Sequence, residues 1–397
     1  IHKITKGQSY SHIELSDIDI GLRYVRSLDK KEYKGSGSKF ANGDTLFARI
    51  TPSLQNGKIA QVKDLDGIGF GSGEFFVFNG KKNITDNDYV YYLSKTESFR
   101  KNAIKSMVGA SGRQRANNKF VANTLINLPP LPIQKKISKI LSSYDNLIHN
   151  NLERVLLLNK LLQYLYEDWF LSKQIDGKLI PSNEIETNNL SEFIEFSMNG
   201  GWGKEELSNN FLQKAYVIRG TDIPDVSRGM FSDTPLRFHK SSNYESRKLI
   251  NGDIIFEISN GNINNVGRSL YVDGSLINVF SECICASFCK MIRPKNLKYS
   301  FFLDQHIKYL YRTNKMYIYK SQGANGINNY RFDDMIQDET IFIPNEKSGN
   351  SLFNKFEKIY NQISNLKYQI KLLADARDIL LPRLIDGKIN LKNNTIS

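Results

Sequence analysis

Two stretches of this chain bring cations, glycines and side-chain amides together. Residues 97–120 carry Arg100, Lys101, Lys105, Arg113, Arg115 and Lys119, with Glu97 the one acid among them. Residues 308–331 carry Lys308, Arg312, Lys315, Lys320 and Arg331 and no acid. Glycines in such a stretch let the backbone approach a ligand and aim N–H groups at phosphate oxygens. Around them stand Ser111, Arg113, Gln114, Arg115, Asn117 and Asn118 in the first stretch, and Gln322, Asn325, Asn328 and Asn329 in the second. These side chains suit base edges, because Arg pairs through two bonds with guanine and Asn or Gln with adenine. A solvated basic helix ending in a flexible turn has the same composition, so either stretch alone leaves both readings open.

A second pair of candidates follows two Gly-Asp strands. Arg49, Thr51, Ser53, Gln55, Asn56 and Lys58 lie after Gly43-Asp44, and Ser259, Asn260, Asn262, Asn264, Asn265 and Arg268 after Gly252-Asp253. These residues are also turn formers, so a plain hairpin loop accounts for them equally well.

Enzyme signatures fail on inspection. Asn127-Leu128-Pro129-Pro130 approaches the Asn-Pro-Pro-aromatic motif of amino-methyltransferases, but Leu128 breaks it and no glycine-rich cofactor loop lies upstream. Gly200-Gly201-Trp202-Gly203-Lys204 lacks the spacing and hydroxyl residue of a phosphate-binding loop. Asp176 with Lys178, and Asp386 with Lys388, look like the end of a nuclease motif but read as turns. The histidines at 2, 12, 149, 239 and 306 make no ligand or triad pattern, and Cys283, Cys285 and Cys289 lack a nearby fourth zinc ligand. The cysteines are expected as half-buried strand residues of a cytoplasmic protein. The surplus of 54 Lys+Arg over 41 Asp+Glu, a net +13, favours a polyanionic partner. No apolar run is long enough to cross a membrane and no signal-peptide core is present, so no membrane partner is expected.

Two long helices must position these loops. From Pro132 to about Phe170, Ile137, Leu141, Tyr144, Ile148, Leu152, Val155, Leu158, Leu162, Leu165 and Trp169 recur at helical spacing. Such a helix is about 55–60 Å long and needs a partner of similar length. Leu352, Phe356, Ile359, Ile363, Leu366, Ile370, Leu373 and Leu380 supply one, with Pro382 expected to stop it. Shorter helices are expected over 87–107 and 299–315.

The chain repeats itself. Ser16-Asp17-Ile18 returns as Thr221-Asp222-Ile223, Gly43-Asp44 as Gly252-Asp253, the glycine loop at 105–112 as that at 320–326, and Asp176-Gly177-Lys178 as Asp386-Gly387-Lys388. The order is globular unit, long helix, globular unit, long helix. The expected class is α+β, with two similar mixed α/β domains joined by two long helices packed as an antiparallel coiled coil. Its expected boundaries are 1–131, 132–187, 188–343 and 344–397.

With these features the chain resembles the specificity subunit of type I restriction–modification systems. The resemblance rests on the GDTLFARI strand, the SGRQRANNKF and LPPLPIQKKI passages, and LLPRLIDGKI near the end. The second copy departs from it, with IFIPNEKSGNSLF in place of LPPLPIQ. The first copy begins short of the stretch ahead of Tyr216 in the second, so residues preceding Ile1 are expected. The resemblance implies two target recognition domains related by a pseudo-twofold, each reading half of a split, asymmetric site in double-stranded DNA. It implies that the helix pair acts as a ruler between the half-sites. It further implies a chain without catalysis of its own. That chain would recruit two methyltransferase subunits and restriction/translocase subunits, with S-adenosylmethionine, Mg²⁺ and ATP belonging to those partners. A stand-alone nuclease or methyltransferase, and a basic coiled-coil scaffold, are the alternatives.

Overall fold

The computed structural model describes residues 2–27, 29–231, 233–323, 326–389 and 391. They form two compact units, the first from residues 1–149 with 372–397 and the second from residues 150–371.

Unit 1 begins with β1 (Ser9–Ile13), β2 (Tyr24–Val25), β3 (Asp29–Glu32) and β4 (Ser38–Ala41), then β5 (Thr45–Ala48), β6 (Ile59–Val62), β7 (Ile68–Gly71) and β8 (Phe75–Phe78). They make two sheets, ordered β3-β1-β7-β4 and β2-β6-β5-β8, with β1 and β7 parallel. The Gly-Asp landmark is a turn between strands. Gly43 has φ of +90°, a conformation glycine adopts freely, and the Asp44 carboxylate accepts the Ala41 N–H at 2.8 Å. Ile13, Ile18, Phe40, Leu46 and Ala60 fill the core between the sheets.

The helix expected over 87–107 is two helices, α1 (Asn87–Lys95) and α2 (Glu97–Lys105). Thr96 breaks it: its hydroxyl accepts the Phe99 N–H at 3.4 Å and donates to the Leu93 carbonyl at 2.7 Å, ending one helix and capping the next. A two-stranded hairpin, β9 (Met107–Val108) with β10 (Arg115–Ala116), leads into α3 (Asn118–Ala122).

The first long helix, α4, runs over Leu131–Ser172. After it, β11 (Gln174–Ile175) and β12 (Lys178–Leu179) close on Asp176 and Gly177, so the Asp-Gly-Lys segment is a turn. Unit 2 continues with β13 (Ile185–Asn189), β14 (Ile194–Asn199), β15 (Gln213–Ile218), α5 (Ile223–Ser227), β16 (Leu236–His239) and α6 (Ser241–Arg247). Next come β17 (Ile254–Glu257), β18 (Ser259–Asn260), β19 (Ser269–Tyr271), α7 (Gly274–Val279), β20 (Cys283–Cys285) and β21 (Cys289–Pro294). The helix expected over 299–315 is α8 (Leu297–Arg312). Then follow β22 (Lys320–Gln322), β23 (Asn328–Tyr330), α9 (Phe332–Asp338), β24 (Thr340–Pro344) and α10 (Glu346–Ile385).

The repeat is structural. β16-β15-β20 reproduces β3-β1-β7, including the parallel pair, and β19-β17-β21 reproduces β6-β5-β8. Asp253 accepts the Ile250 N–H at 2.8 Å, as Asp44 does in unit 1. Asp222 and Asp17 likewise accept the N–H of Arg219 and Glu14, three residues back. The cysteines are fully buried and free, where half-burial was expected. Both faces of β20 are covered: Cys283 and Cys285 face the main core, while Ile284 packs with Ala215, Val217 and Tyr244 of α6.

The two long helices are antiparallel within each unit. In unit 1, Leu381 and Leu384 of α10 pack with Ile137 and Leu141 of α4, and Arg377 meets Asp145 at 2.6 Å. In unit 2, Asn151 donates to Gln369 at 3.2 Å, while Asp176, beyond the end of α4, accepts from Ser351 at 2.6 Å. The seam is less apolar than its heptads imply. Arg377 and Asp145 are 2% and 1% exposed, and Lys367 is buried against Asp273 at 2.6 Å. Pro382 does not stop α10, which continues to Ile385. Proline there removes an N–H only in the last turn, and the buried Leu381 and Leu384 hold that turn in place.

Candidate nucleic-acid interface

In unit 1 the hairpin lies along the loop that follows β5. The Ala116 N–H donates to the Arg49 carbonyl at 2.8 Å, the Thr51 N–H donates to the Gln114 carbonyl at 3.0 Å, and Ile50 bridges to Arg115. The two candidate stretches, distant in sequence, therefore form one surface. Its base is pinned by Ser106, whose hydroxyl donates to the Ala103 carbonyl at 2.7 Å and accepts the Asn117 N–H at 3.1 Å. Gly109, with φ of +123°, starts the hairpin loop. Ser111 and Arg113 stand exposed in it, with Gln114 half-buried behind them.

Of the remaining candidates of unit 1, Arg115, Arg49, Lys58 and Asn117 have structural partners. Arg115 holds Glu74 through Nε and Nη2 at 2.9 and 2.7 Å, and Arg49 meets the same carboxylate at 3.7 Å. Lys58 donates to the Leu15 carbonyl at 2.6 Å. Asn117 caps α3 through the Phe120 N–H at 3.1 Å, and Asn118 is exposed beside it. An open groove of about 840 Å³ runs past Lys105, Lys119 and Phe120 at the hairpin base.

Unit 2 builds the same surface from different chemistry. β18 joins the hairpin, so that β18-β23-β22 forms a three-stranded sheet with Ser259 opposite Asn329. The asparagine loop is a ladder of side chain-to-backbone turns: Asn260 accepts the Asn262 N–H at 2.7 Å and Asn262 accepts the Asn264 N–H at 3.0 Å. Asn265 donates to Asn260 at 3.4 Å, and the buried Asn328 donates to the Gly261 carbonyl at 3.0 Å. Asn329 accepts from Ser259 at 2.8 Å, and Gln322 is exposed. Arg268 donates to Glu257 at 2.8 Å and to the Gly220 carbonyl at 3.0 Å. Asn325 lies outside the described residues.

Sequence reasoning missed the two carboxylates that organise these surfaces, Glu74 and Glu257. Glu257 had a visible signal, since it ends the apolar run Ile254-Ile255-Phe256. Also missed is a pocket of about 510 Å³ in unit 2, which Glu257 lines together with Trp202, Phe288 and Ile327. Among the described residues no group of His, Cys, Asp and Glu could hold a metal ion. Among them, too, no helix is long and apolar enough to cross a membrane.

Residues 23–158 match the type I restriction modification DNA specificity domain. The EcoAI specificity subunit of Escherichia coli is 33% identical over 127 residues, which are 31% of this chain and 22% of that protein. The MjaIX specificity subunit of Methanocaldococcus jannaschii is 22% identical over 320 residues, 77% of this chain and 70% of that protein. The match to the first thus spans under a quarter of the relative's length. Among solved structures, a type I system S subunit from M. genitalium aligns with a TM-score of 0.49 at 13% identity, covering 95% of this chain and 92% of that one.

Proposed function

We propose that the chain belongs to the type I restriction–modification specificity family, whose domain its residues 23–158 match, and that it reads a two-part site in double-stranded DNA. Each unit reads one half. The observation that carries this reading is the recurrence, in both units, of a hairpin laid along the loop after the Gly-Asp strand, with different side chains at matched positions. A common scaffold with divergent donors is what two unlike half-sites require.

Exposed Ser111, Arg113, Gln322 and Asn329 are the candidates for base edges. Lys105 and Lys119 are placed to meet phosphates and to make affinity salt-dependent. Methylation and cleavage belong to partner subunits in this reading: two methyltransferase subunits and a restriction/translocase subunit. Those partners would hold S-adenosylmethionine, Mg²⁺ and ATP.

The test is methylome sequencing of cells carrying this chain and its methyltransferase partner. The expected result is one asymmetric motif with an unspecified gap, lost when the chain is deleted. Methylation that persists without the chain would overturn the proposal. So would turnover of DNA by the purified chain alone with S-adenosylmethionine or Mg²⁺.

A further inference from the structure

The pocket of unit 2 opens on the proposed reading surface. The hairpin contributes Ile327, the loop after β17 contributes Asn260, and Glu257 lies at the end of β17. Two large aromatic side chains also line it, Trp202 from the loop after β14 and Phe288 from the turn before β21. They are left 42% and 59% exposed, whereas the other aromatic side chains of this unit, Tyr164 and Tyr317 apart, are buried or half-buried. An aromatic surface beside the proposed DNA-reading loop offers a platform on which any base can stack, since every base has a π-face.

The polar wall narrows the occupant. The Glu257 side chain is 2% exposed, and its charge is compensated by Arg268. One oxygen accepts from Asn260 at 2.7 Å and the other from Arg268 at 2.8 Å. An ionised carboxylate has about four lone-pair sites, so it can still accept and offers no donor. Gly220 keeps the approach to it open, since a Cβ there would stand 2.0 Å from Oε1. A group entering this pocket meets flat apolar walls and an acceptor.

We infer that the pocket receives one nucleobase unstacked from the bound duplex, a base whose exocyclic amino group donates to Glu257 while its ring packs on Trp202 and Phe288. Adenine, cytosine and guanine carry such a group, and thymine does not. Unit 1 offers an internal contrast. The position matching Phe288 is Glu74, since each residue's carbonyl accepts the N–H that follows the Gly-Asp strand, from Ile258 and Arg49 respectively. There a carboxylate bound to Arg115 stands in place of an aromatic ring.

The inference rests on the proposed reading function, and one experiment separates the two. The complex of the full chain with its methyltransferase partner is titrated with duplexes of its motif, in which the base opposite each position of the unit 2 half-site is replaced in turn by an abasic residue. Removing the opposing base lowers the cost of extrusion. One position should then bind at least fivefold tighter, and purine in place of adenine there, or a comparable loss of the amino group, should abolish the gain. Trp202→Ala and Phe288→Ala should lose the gain and Trp202→Phe should keep it, with unchanged unit 1 specificity reporting that the variants fold. Absence of any tightening, or tightening that survives Trp202→Ala, overturns the inference while the reading function stands. A complex that prefers no duplex over another defeats the reading function, and the inference with it.

Discussion

The two candidate surfaces share a backbone and differ in where they keep their negative charge. In unit 1 the carboxylate comes from Glu74, beside β8, and gathers Arg115 and Arg49 at the edge of solvent. In unit 2 it comes from Glu257, inside the β17 strand, and anchors Arg268 and the asparagine loop from beneath. The shared residues, Asp17 with Asp222 and Asp44 with Asp253, each close a turn by accepting the backbone N–H three residues back, and their remaining bonds go to differing side chains, among them Asn79 on Asp44, Arg219 on Asp222 and Arg293 on Asp253. Turns made this way set the path of the chain without dictating what the outer side chains carry. The surfaces are therefore free to diverge while the fold stays fixed.

The contrast predicts unequal losses when each carboxylate is removed. Glu257→Ala strands the Arg268 guanidinium in a largely buried site, which costs about 3–5 kcal/mol. Glu74→Ala breaks a half-exposed pair, for which about 0–1 kcal/mol is expected. Urea unfolding followed by peptide-level hydrogen exchange would read each unit separately, and equal losses would erase the distinction.

Acid should also part the units. His306 is buried in unit 2 with Nδ1 2.5 Å from the Tyr166 hydroxyl, and burial lowers its pKa to about 3. Below pH 6.5 the unfolded chain takes up a proton that the folded imidazole refuses until about pH 3. Stability tied to His306 is thus present above 6.5 and falls by about 1.4 kcal/mol per pH unit through that window. His12 of unit 1 shifts in the same direction, chiefly through burial, but Glu14 opposes it. Exchange protection of residues 150–371 should drop between pH 6.5 and 4.5 and lose that slope in His306→Gln. Matching slopes in wild type and variant would rule His306 out.

On the proposed DNA-facing surface, Arg113 stands exposed in the unit 1 hairpin loop. Arg113→Ala should cost about 1–3 kcal/mol of discrimination at one base pair of one half-site. The unit 2 half-site should be read as before. Equal weakening on every sequence in a panel of base-substituted duplexes would recast Arg113 as a phosphate contact.

How far the sequence carried is instructive residue by residue. The repeat was legible because a Gly-Asp pair has a local mechanism, a turn closed by its own carboxylate. The long helices were legible because an apolar stripe repeats over many turns. The break at Thr96 was not, because its bonds to Leu93 and Phe99 are local but a threonine inside a helical run carries the same side chain whether or not it caps. Nor was the persistence of α10 past Pro382, since a docked last turn depends on neighbours far along the chain. The same is true of the buried Arg377 with Asp145 and Lys367 with Asp273, pairs formed across distant segments. At the site, residue types were readable but not their employment. Nothing in the spacing of Lys58 and Arg268 shows that each is already bonded to its own unit. Nor could the bridge from Ile50 to Arg115, which merges two candidate loops into one surface, be seen before the fold.

The smallest effect tests whether unit 1 separates positioning from reading. Lys119 lies in α3, exposed beside the groove that contains Lys105 and Phe120. The same turn of α9 in unit 2 holds Asp333 and Asp334. If unit 1 takes more of its affinity from phosphates, Lys119→Ala should weaken binding by a similar factor on every duplex. The slope of log affinity against log salt should fall by about one. Charge reversal at the unit 2 position, Asp333→Lys, should raise that slope and leave the preferred sequence unchanged. A Lys119→Ala variant that changed the preferred bases, with the salt slope intact, would mean that the lysine reads bases and that the groove is part of the reading surface rather than its phosphate-facing flank.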